Sequence, residues 1–351
     1  MKKLFALILS ACMILSMAAC ARQEAAPVTQ ATEPQTTVET TEATETAEAT
    51  ETTVPAEPVD VMVLNGTTGF GMANLMDAAA KEEAEQNYQF TVETDASNIV
   101  AALVNGSADL AALPTNAAST VYNKTQGKVQ ALALNTRGVL YLVTDGSVAV
   151  ESMADLEGLT VYAPAQNPTF IFQGLVTAAG VENVTVDNTY AQPADLNAAV
   201  ASGAVSVAVL PEPMVTVARA QNPDLVVALD LTAQWDQVYP AGSLVQGCVV
   251  VRKEFAESNP DAVALFLKEY GASIEGMTAD VAGTAAKIEA NGIFAKAPVA
   301  AKAIPNCNVC FITGEEMKAA LSEFLTIMHG VAPASVGGAV PADDFYCILN
   351  G

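Results

Sequence analysis

Two stretches of 24 residues share one pattern: "SNIVAALVNGSADLAALPTNAAST" at residues 97–120 and "ADLNAAVASGAVSVAVLPEPMVTV" at residues 194–217. A shift of 97 positions aligns them without a gap, with Gly106 on Gly203 and the pair Leu113-Pro114 on the pair Leu210-Pro211. Each stretch has the pattern of a helix, a glycine turn and a buried strand that stops at a proline. The sequence therefore predicts two similar α/β lobes.

The same alternation of short apolar runs and longer helical runs extends outward from these stretches, from residue 59 to about residue 230. It is typical of an α/β fold with a mostly parallel sheet in each lobe. The apolar runs are continuous, as expected for strands that are covered on both faces. Beyond the repeat, the pattern predicts one more strand within residues 244–256 and helices at 259–274, 281–291, 298–303 and 315–329.

The first 58 residues have a different composition. Lys2 and Lys3 precede an apolar run, and "MAAC" at residues 17–20 resembles the lipobox of bacterial lipoproteins. This predicts a signal peptide at residues 1–19 and acylation of Cys20. Residues 20–58 are rich in Thr and Glu and lack aromatic residues, which predicts a disordered tether. The net charge of -24 disfavours nucleic acid as a partner and leaves the lipid anchor as the expected membrane contact.

Four motifs carry a resemblance to a known family: "GTTGFGMANLM" (66–76), "LPTNAASTVYNK" (113–124), "LPEPMVT" (210–216) and "RKEFAESNPDAVALFLKEYGASI" (252–274). They resemble bacterial ABC-transporter substrate-binding lipoproteins of the sulfonate, nitrate and thiamine-precursor-binding type. The resemblance implies a two-lobed periplasmic-binding-protein-like fold of the second structural class, whose chain crosses between the lobes twice. It places lobe 1 at residues 59–144 and 246–351 and lobe 2 at residues 145–245, with crossings near "TDGS" and "AGSL".

The resemblance also implies a role outside the cytoplasm. The protein is expected to be lipid-anchored to the cell membrane, as in Gram-positive bacteria, and monomeric. It would deliver a small-molecule ligand to an ABC permease and its ATPase. No enzyme activity and no cofactor are expected, because His329 is the only histidine and no motif pairs a nucleophile with a base.

The predicted ligand site follows from the rule that ligands bind beyond the carboxyl ends of the strands in such sheets. Trp235, the only tryptophan, is added as a ring that could stack on a flat ligand. The candidate residues are Asn65, Thr67, Thr68, Gly69, Asn98, Thr115, Asn116, Asn135, Gln166, Asn167, Thr169, Glu212 and Trp235. Glu212 is the only acid among them, and it either accepts a hydrogen bond from a ligand amine or stabilises a helix N-terminus.

The class of ligand is bounded by charge. None of the four arginines stands directly at a strand end, so the sequence favours a neutral or cationic nitrogen-containing organic molecule. A sulfonate or nitrate binder of the same fold remains an alternative, as does a ligand-sensing lipoprotein without a transporter. Four cysteines of the folded part could be free, form disulfides or hold zinc: Cys248, Cys307, Cys310 and Cys347.

Overall fold

A computed structural model describes residues 57–349 of the 351-residue chain. The predicted signal peptide, the predicted acylation site Cys20 and nearly all of the predicted tether lie outside the described residues. Within the described part, the apolar runs form strands and the alanine-rich stretches between them form helices. No helix in this part is long and apolar enough to cross a membrane.

The strands make two sheets, one in each lobe. Sheet 1 contains, in spatial order, β11 (Val309–Ile312), β4 (Val129–Arg137), β10 (Val245–Arg252), β3 (Leu110–Pro114), β1 (Val59–Leu64) and β2 (Tyr88–Glu93). Sheet 2 contains β7 (Thr185–Asp187), β6 (Thr160–Tyr162), β8 (Val207–Pro211), β5 (Leu140–Thr144) and β9 (Val226–Asp230). Strand β1 pairs in parallel with β2 and β3, and β6 pairs in parallel with β7 and β8. The strands β10 and β5 pair antiparallel with both of their neighbours, so each sheet is mixed and not mostly parallel as predicted. The reason is that β5 and β10 are the strands by which the chain enters each sheet from the other lobe.

Helices flank both sheets, which confirms the predicted α/β class. The helices of lobe 1 are α1 (Thr67–Phe70), α2 (Ala73–Ala80), α3 (Ala96–Asn105), α4 (Thr115–Thr125), α9 (Lys253–Ser258), α10 (Pro260–Ala279), α11 (Val281–Ala290), α12 (Ala297–Ala303) and α13 (Gly314–Val331). The helices of lobe 2 are α5 (Asn167–Ala178), α6 (Pro193–Ala201), α7 (Met214–Gln221) and α8 (Leu231–Val238). Short 3-10 turns lie at Met153–Leu156, Ile304–Asn306, Pro333–Val336 and Asp343–Phe345.

The chain passes between the sheets twice. It leaves sheet 1 after Arg137 and enters sheet 2 at Leu140, which corrects the predicted boundary at residue 144. The reason is that β5, which ends just before "TDGS", pairs with β8 and β9 and therefore belongs to lobe 2. Gly138 lies in this crossing, and a side chain there would collide with Thr232 and Leu244, so only glycine fits.

The repeat seen in the sequence is also present in the structure. Gly106 directly follows helix α3, and Gly203 follows helix α6 after one residue, Ser202; their φ angles are 84° and 75°. Strands β3 and β8 then follow, each with four buried residues and a partly buried proline at its end. Since β3 pairs antiparallel with β10 and β8 pairs antiparallel with β5, the two proline-terminated strands occupy equivalent places in their lobes.

One apolar cluster joins the lobes on the side of the crossings. It contains Leu113 from β3, Val209 from β8 and Phe324 from α13. Trp235 lies within it, is fully buried and donates from its indole N–H to Ser243 Oγ at 2.8 Å. Its ring packs against Tyr239 and Phe324, with ring centroids 4.4 Å and 5.9 Å apart. Trp235 is thus a core residue next to the crossings, and its fully buried ring is not available for the predicted stacking on a ligand.

Candidate functional site

A cavity of about 660 Å³ lies between the two lobes, where the carboxyl ends of their strands face each other. It is lined by residues of both lobes: Leu64, Asn65, Gly66, Thr67, Thr68, Pro114, Thr136, Val139, Asn167, Pro168, Pro193, Pro211, Glu212, Pro213, Met214, Gln246, Gly292, Ile293, Phe294 and Ala295. We call this space the central cavity. Among the predicted site residues, it brings together Asn65, Thr67, Thr68, Asn167 and Glu212.

The wall from lobe 1 is built by the turn between β1 and α1. The amide N–H of Gly66 donates to the carbonyl of Ile293 at 3.0 Å, which fixes the turn against the segment 292–295. Asn135, almost fully buried, donates from Nδ2 to the carbonyl of Thr68 at 3.1 Å and accepts from the hydroxyl of Thr136 at 3.0 Å. Asn135 therefore does not line the central cavity, contrary to prediction, but supports two residues that do.

Gly69 was predicted to contact the ligand, and the structure gives it another role. A Cβ atom at this position would lie 2.5 Å from the carbonyl oxygen of Leu64 and 2.8 Å from Val63 Cγ1. The missing side chain lets α1 pack closely on β1, so Gly69 shapes the turn from behind the wall of the central cavity.

The wall from lobe 2 is built largely by the N-terminal ends of three helices. Asn167 and Pro168 open α5, Pro193 opens α6, and Pro213 directly precedes α7. Asn167 is only 8% exposed, and its Oδ1 atom is buried without a hydrogen-bond partner. Leaving a buried polar atom unpaired costs about 1–3 kcal/mol of folding free energy. The Oδ1 atom of Asn167 therefore lacks a hydrogen-bond donor that would stabilise this wall.

Glu212 separates the central cavity from a second pocket and is only 4% exposed. Its carboxylate accepts from the backbone N–H of Thr216 at 3.1 Å and from the hydroxyl of Thr216 at 2.9 Å. Burial raises the pKa of Glu212, while hydrogen bonds from Thr216 and Asn306 and the charge of Arg219 act in the opposite direction. Because all three of these partners line the second pocket, the carboxylate lies on that side of Glu212.

The two lobes make direct contact at the edge of the central cavity. The hydroxyl of Thr67 in lobe 1 donates to the backbone carbonyl of Glu212 in lobe 2 at 2.8 Å. The hydroxyl of Tyr141 in lobe 2 donates to the carbonyl of Asn306 in lobe 1 at 3.0 Å. The first bond joins the lobes at the central cavity, and the second joins them at the second pocket, which Tyr141 and Asn306 both line.

Several predicted site residues lie away from the central cavity. Asn98 is exposed and donates to Glu93, because β2 is an edge strand and its carboxyl end lies at the outside of sheet 1. Thr115 is fully buried and donates to the carbonyl of Val245 at 2.8 Å, and Asn116 faces Ser335. All three residues lie near strand ends as predicted, but the side chain of Asn98 lies on the outer surface, and those of Thr115 and Asn116 point into lobe 1.

Two predicted residues of lobe 2 also lie outside the central cavity. The hydroxyl of Thr169 donates to the carbonyl of Pro164 at 2.7 Å and accepts from Asn188 at 2.7 Å, so it is used within its own loop. Gln166 is exposed at the start of α5 and has a φ angle of 69°. The hydrogen bonds of Thr169 tie the start of α5, which presents Asn167, to the preceding loop.

Part of the central cavity comes from residues that the sequence reasoning missed. The segment 292–295, which includes Phe294, follows helix α11. The sequence did not predict it as part of the site, because the prediction considered only residues at the carboxyl ends of strands. Gln246 was missed because it stands at the beginning of β10, and its Oε1 atom accepts from the N–H of Val139 at 2.7 Å. The positions of Pro114 and Pro211 in the central cavity could have been predicted, since both residues stand at equivalent strand ends of the repeat.

The four cysteines in the described part of the chain are free. Burial raises the pKa of Cys310 to about 11 and raises the pKa of Cys307 further above its ordinary value. The described residues contain no group of three His, Cys, Asp or Glu side chains that could hold a metal ion.

Comparisons with known proteins agree with this architecture. The family model described as NMT1/THI5 like matches residues 88–281, which is more than half of the chain. Among solved structures, an ABC transporter from Parabacteroides distasonis is 22% identical, with a TM-score of 0.71 over 83% of this chain and 98% of that chain. The periplasmic aliphatic sulphonate binding protein SsuA from Escherichia coli is 15% identical, with a TM-score of 0.67 over 84% of this chain and 94% of that chain.

A third solved structure is the ligand-binding component of an ABC-type import system from Staphylococcus aureus with zinc bound. It is 14% identical, with a TM-score of 0.64 over 83% of this chain and 97% of that chain. No curated protein matches the chain. Together the matches confirm the predicted resemblance and the two-lobed fold of periplasmic binding proteins.

Proposed function

The chain belongs to the NMT1/THI5-like family, and from this premise we propose that it is the solute-binding component of an ABC importer. It captures a small organic molecule in the central cavity and delivers it to a permease that an ATPase drives. It acts as a monomer outside the cytoplasm and is held at the cell membrane by a lipid on Cys20. The named transport proteins of the same fold support this role.

The size and the lining of the central cavity support a small organic ligand. Its volume of about 660 Å³ lies within the range of about 300–1,000 Å³ that is usual for small-molecule sites. Phe294 and Met214 give it apolar surface, while Thr68, Thr136 and Asn167 add a few polar groups. Such a surface suits a molecule with an apolar or flat body and a few hydrogen-bonding atoms.

The same lining argues for a neutral or cationic nitrogen-containing ligand over a sulfonate or nitrate. No Lys, Arg or His is among the residues that line the central cavity. An oxyanion could instead use the free N–H groups of helix N-termini. However, prolines stand where the three helices of lobe 2 meet the cavity: Pro168, Pro193 and Pro213. Proline has no N–H to donate, so these helix ends offer an anion fewer hydrogen bonds.

We assign the polar contact of the ligand to Asn167. Its Oδ1 atom is the acceptor without a partner in the wall of the central cavity, and an N–H or O–H of the ligand would satisfy it. Glu212 is less suited to this role, because Thr216 already donates to both of its carboxylate oxygens. Ligand binding would therefore add a hydrogen bond at Asn167, and the hydrogen bonds between Glu212 and Thr216 of α7 would stay as they are.

Closure of the lobes around the ligand is the expected mechanism of capture. The Thr67–Glu212 hydrogen bond joins the lobes at the central cavity, and the Tyr141–Asn306 hydrogen bond joins them at the second pocket beside it. A ligand that touches both walls would add its contacts to these bonds and favour the closed form over the open one.

A thermal-shift screen of the purified full chain tests this proposal. The panel contains nitrogen heterocycles, primary amines, alkanesulfonates and nitrate at equal ionic strength. We expect a heterocycle or an amine to raise the melting temperature, because a ligand that binds only the folded state stabilises it. Stabilisation by sulfonates or nitrate alone would refute the proposed ligand class. Turnover of a compound without stabilisation by any member of the panel would refute the solute-binding role.

A further inference from the structure

A second pocket lies between the lobes, on the other side of Glu212 from the central cavity. Its volume is about 460 Å³. Lobe 2 contributes Thr216 and Arg219 of α7, and lobe 1 contributes Lys302 of α12 and Asn306. Helix α12 packs against helix α7 at this place, so the pocket closes only when the lobes meet. We call it the cationic pocket.

Two positive side chains face this pocket from opposite lobes. Among the described residues, seven other lysines and arginines form ion pairs, but Arg219 and Lys302 form none. Both stand in the last turn of their helices, where the helix dipole favours a cation. What sets them apart is that they line one pocket from two lobes, so closure brings like charges towards each other.

The charged residues that line the cationic pocket do not balance one another. Glu212 is its one carboxylate, and Arg219 is near enough to lower the pKa of that group. With Glu212 ionised, two positive side chains face one negative side chain, which leaves an excess of one positive charge. The chain as a whole carries -24, so this local excess runs against the charge of the molecule.

The remaining lining of the cationic pocket is apolar on the side of lobe 2. Val215, Pro223 and Val227 lie beside the charged groups, and Val227 is 36% exposed. A bare inorganic anion would leave this surface in contact with water. An organic anion would cover it with its carbon skeleton while its charged end meets Arg219 and Lys302.

We propose that the cationic pocket is a second binding site, which takes a small organic carboxylate between Arg219 of lobe 2 and Lys302 of lobe 1. The planar guanidinium of Arg219 matches a carboxylate in geometry, and a single negative charge balances the excess of the pocket. Because the two cations belong to different lobes, a bound carboxylate stabilises their contact and favours closure. This site goes beyond the proposed function and does not depend on which solute occupies the central cavity.

The test compares carboxylates with their neutral amides on the full chain at constant ionic strength. Butyrate and benzoate are titrated against butyramide and benzamide, and the apparent Kd is taken from the thermal shift. We expect the two carboxylates to bind with a roughly millimolar Kd and the amides not to bind. Equal stabilisation by the amides, or none by the carboxylates at concentrations on the order of tens of millimolar, would overturn the proposal.

Variants assign the binding to the cationic pocket. Arg219→Gln and Lys302→Gln should each weaken carboxylate binding about tenfold, as expected for the loss of one charge-assisted hydrogen bond. The matched control is Lys124→Gln, which removes an exposed cation in α4 that likewise forms no ion pair in the described part of the chain. This control should leave the Kd unchanged. An equal loss in all three variants would reveal a general charge effect and contradict the assigned site.

Discussion

The two proline-terminated strands show how equivalent positions in a repeated fold acquire different roles. In lobe 1, Pro114 is followed by Thr115, whose hydroxyl is buried and donates to the carbonyl of Val245 in β10. In lobe 2, Pro211 is followed by Glu212, which lies at the wall between two interlobe pockets. The strands are alike because both must be buried. The residues after them differ because one belongs to the interior of lobe 1 and the other to the cleft.

The largest effect is expected in the buried strands themselves, where the comparison predicts similar behaviour. Leu113→Ala and Leu210→Ala remove equivalent, fully buried side chains. Each should lower the free energy of unfolding by about 2–5 kcal/mol, measured by denaturant unfolding. Val104→Ala is the control, since Val104 is 46% exposed and its truncation should cost less than about 0.5 kcal/mol. A large loss for only one of the two leucines would break the equivalence of the lobes.

The next prediction separates the two residues that follow the prolines. Thr115→Val removes the hydroxyl that donates to Val245 and leaves a buried carbonyl without this donor. We expect the free energy of unfolding to fall by about 1–3 kcal/mol and the affinity for the solute of the central cavity to stay unchanged. Chemical unfolding and calorimetric titration measure the two quantities. If the variant lost affinity for the solute while its free energy of unfolding stayed unchanged, Thr115 would have to contact the ligand.

The smallest effect is expected for Glu212→Gln, and it depends on pH. Burial raises the pKa of Glu212 above its ordinary value of about 4.5, so the folded state favours the protonated acid. The stability that protonation contributes is fully present below that ordinary value and is lost as the pH rises through the folded pKa. The stability of the wild type relative to Glu212→Gln should therefore decrease from acid to neutral pH in urea unfolding.

The opposite slope would mean that the carboxylate gains more from its partners than it loses by burial. The hydrogen bonds to Thr216 are not an obstacle to the variant, since an amide can accept from the backbone N–H and donate to the hydroxyl. Affinity for the solute should change little in Glu212→Gln, because the carboxylate lies on the side of the cationic pocket. A marked loss of affinity would restore Glu212 as the acceptor for a ligand amine.

The sequence was sufficient to predict the fold and part of the central cavity. The 97-residue repeat located β3, β8 and the residues after them, because local patterns of apolar residues, Gly and Pro determine which segments are buried and where the chain turns. The rule that ligands bind beyond the carboxyl ends of strands correctly placed Asn65, Thr68 and Asn167 at the central cavity, because the ends of these strands can be read from local sequence. It failed for Asn98, because whether β2 lies at the edge or in the centre of a sheet depends on pairing between distant strands.

Other features required the three-dimensional arrangement. The first crossing consists of only two residues, Gly138 and Val139, between β4 and β5. It therefore contains no loop that could be recognised from the sequence. Phe294 reaches the central cavity from a segment that follows a helix, and Trp235 packs between helices of both lobes. The direction of each side chain at a strand end, as for Thr115 and Glu212, is set by neighbours that are remote in the sequence.

The affinity of the stabilising solute for Asn167→Ala shows whether Asn167 is the polar partner of the ligand in the central cavity. Calorimetric titration should show a Kd about tenfold or more above that of the wild type, because the hydrogen bond between the ligand and Oδ1 is lost. Asn98→Ala, which removes the same side chain outside the central cavity, should bind like the wild type. If Asn167→Ala binds the solute as tightly as Asn98→Ala does, Asn167 is not the ligand's polar partner, and the account of the central cavity is contradicted.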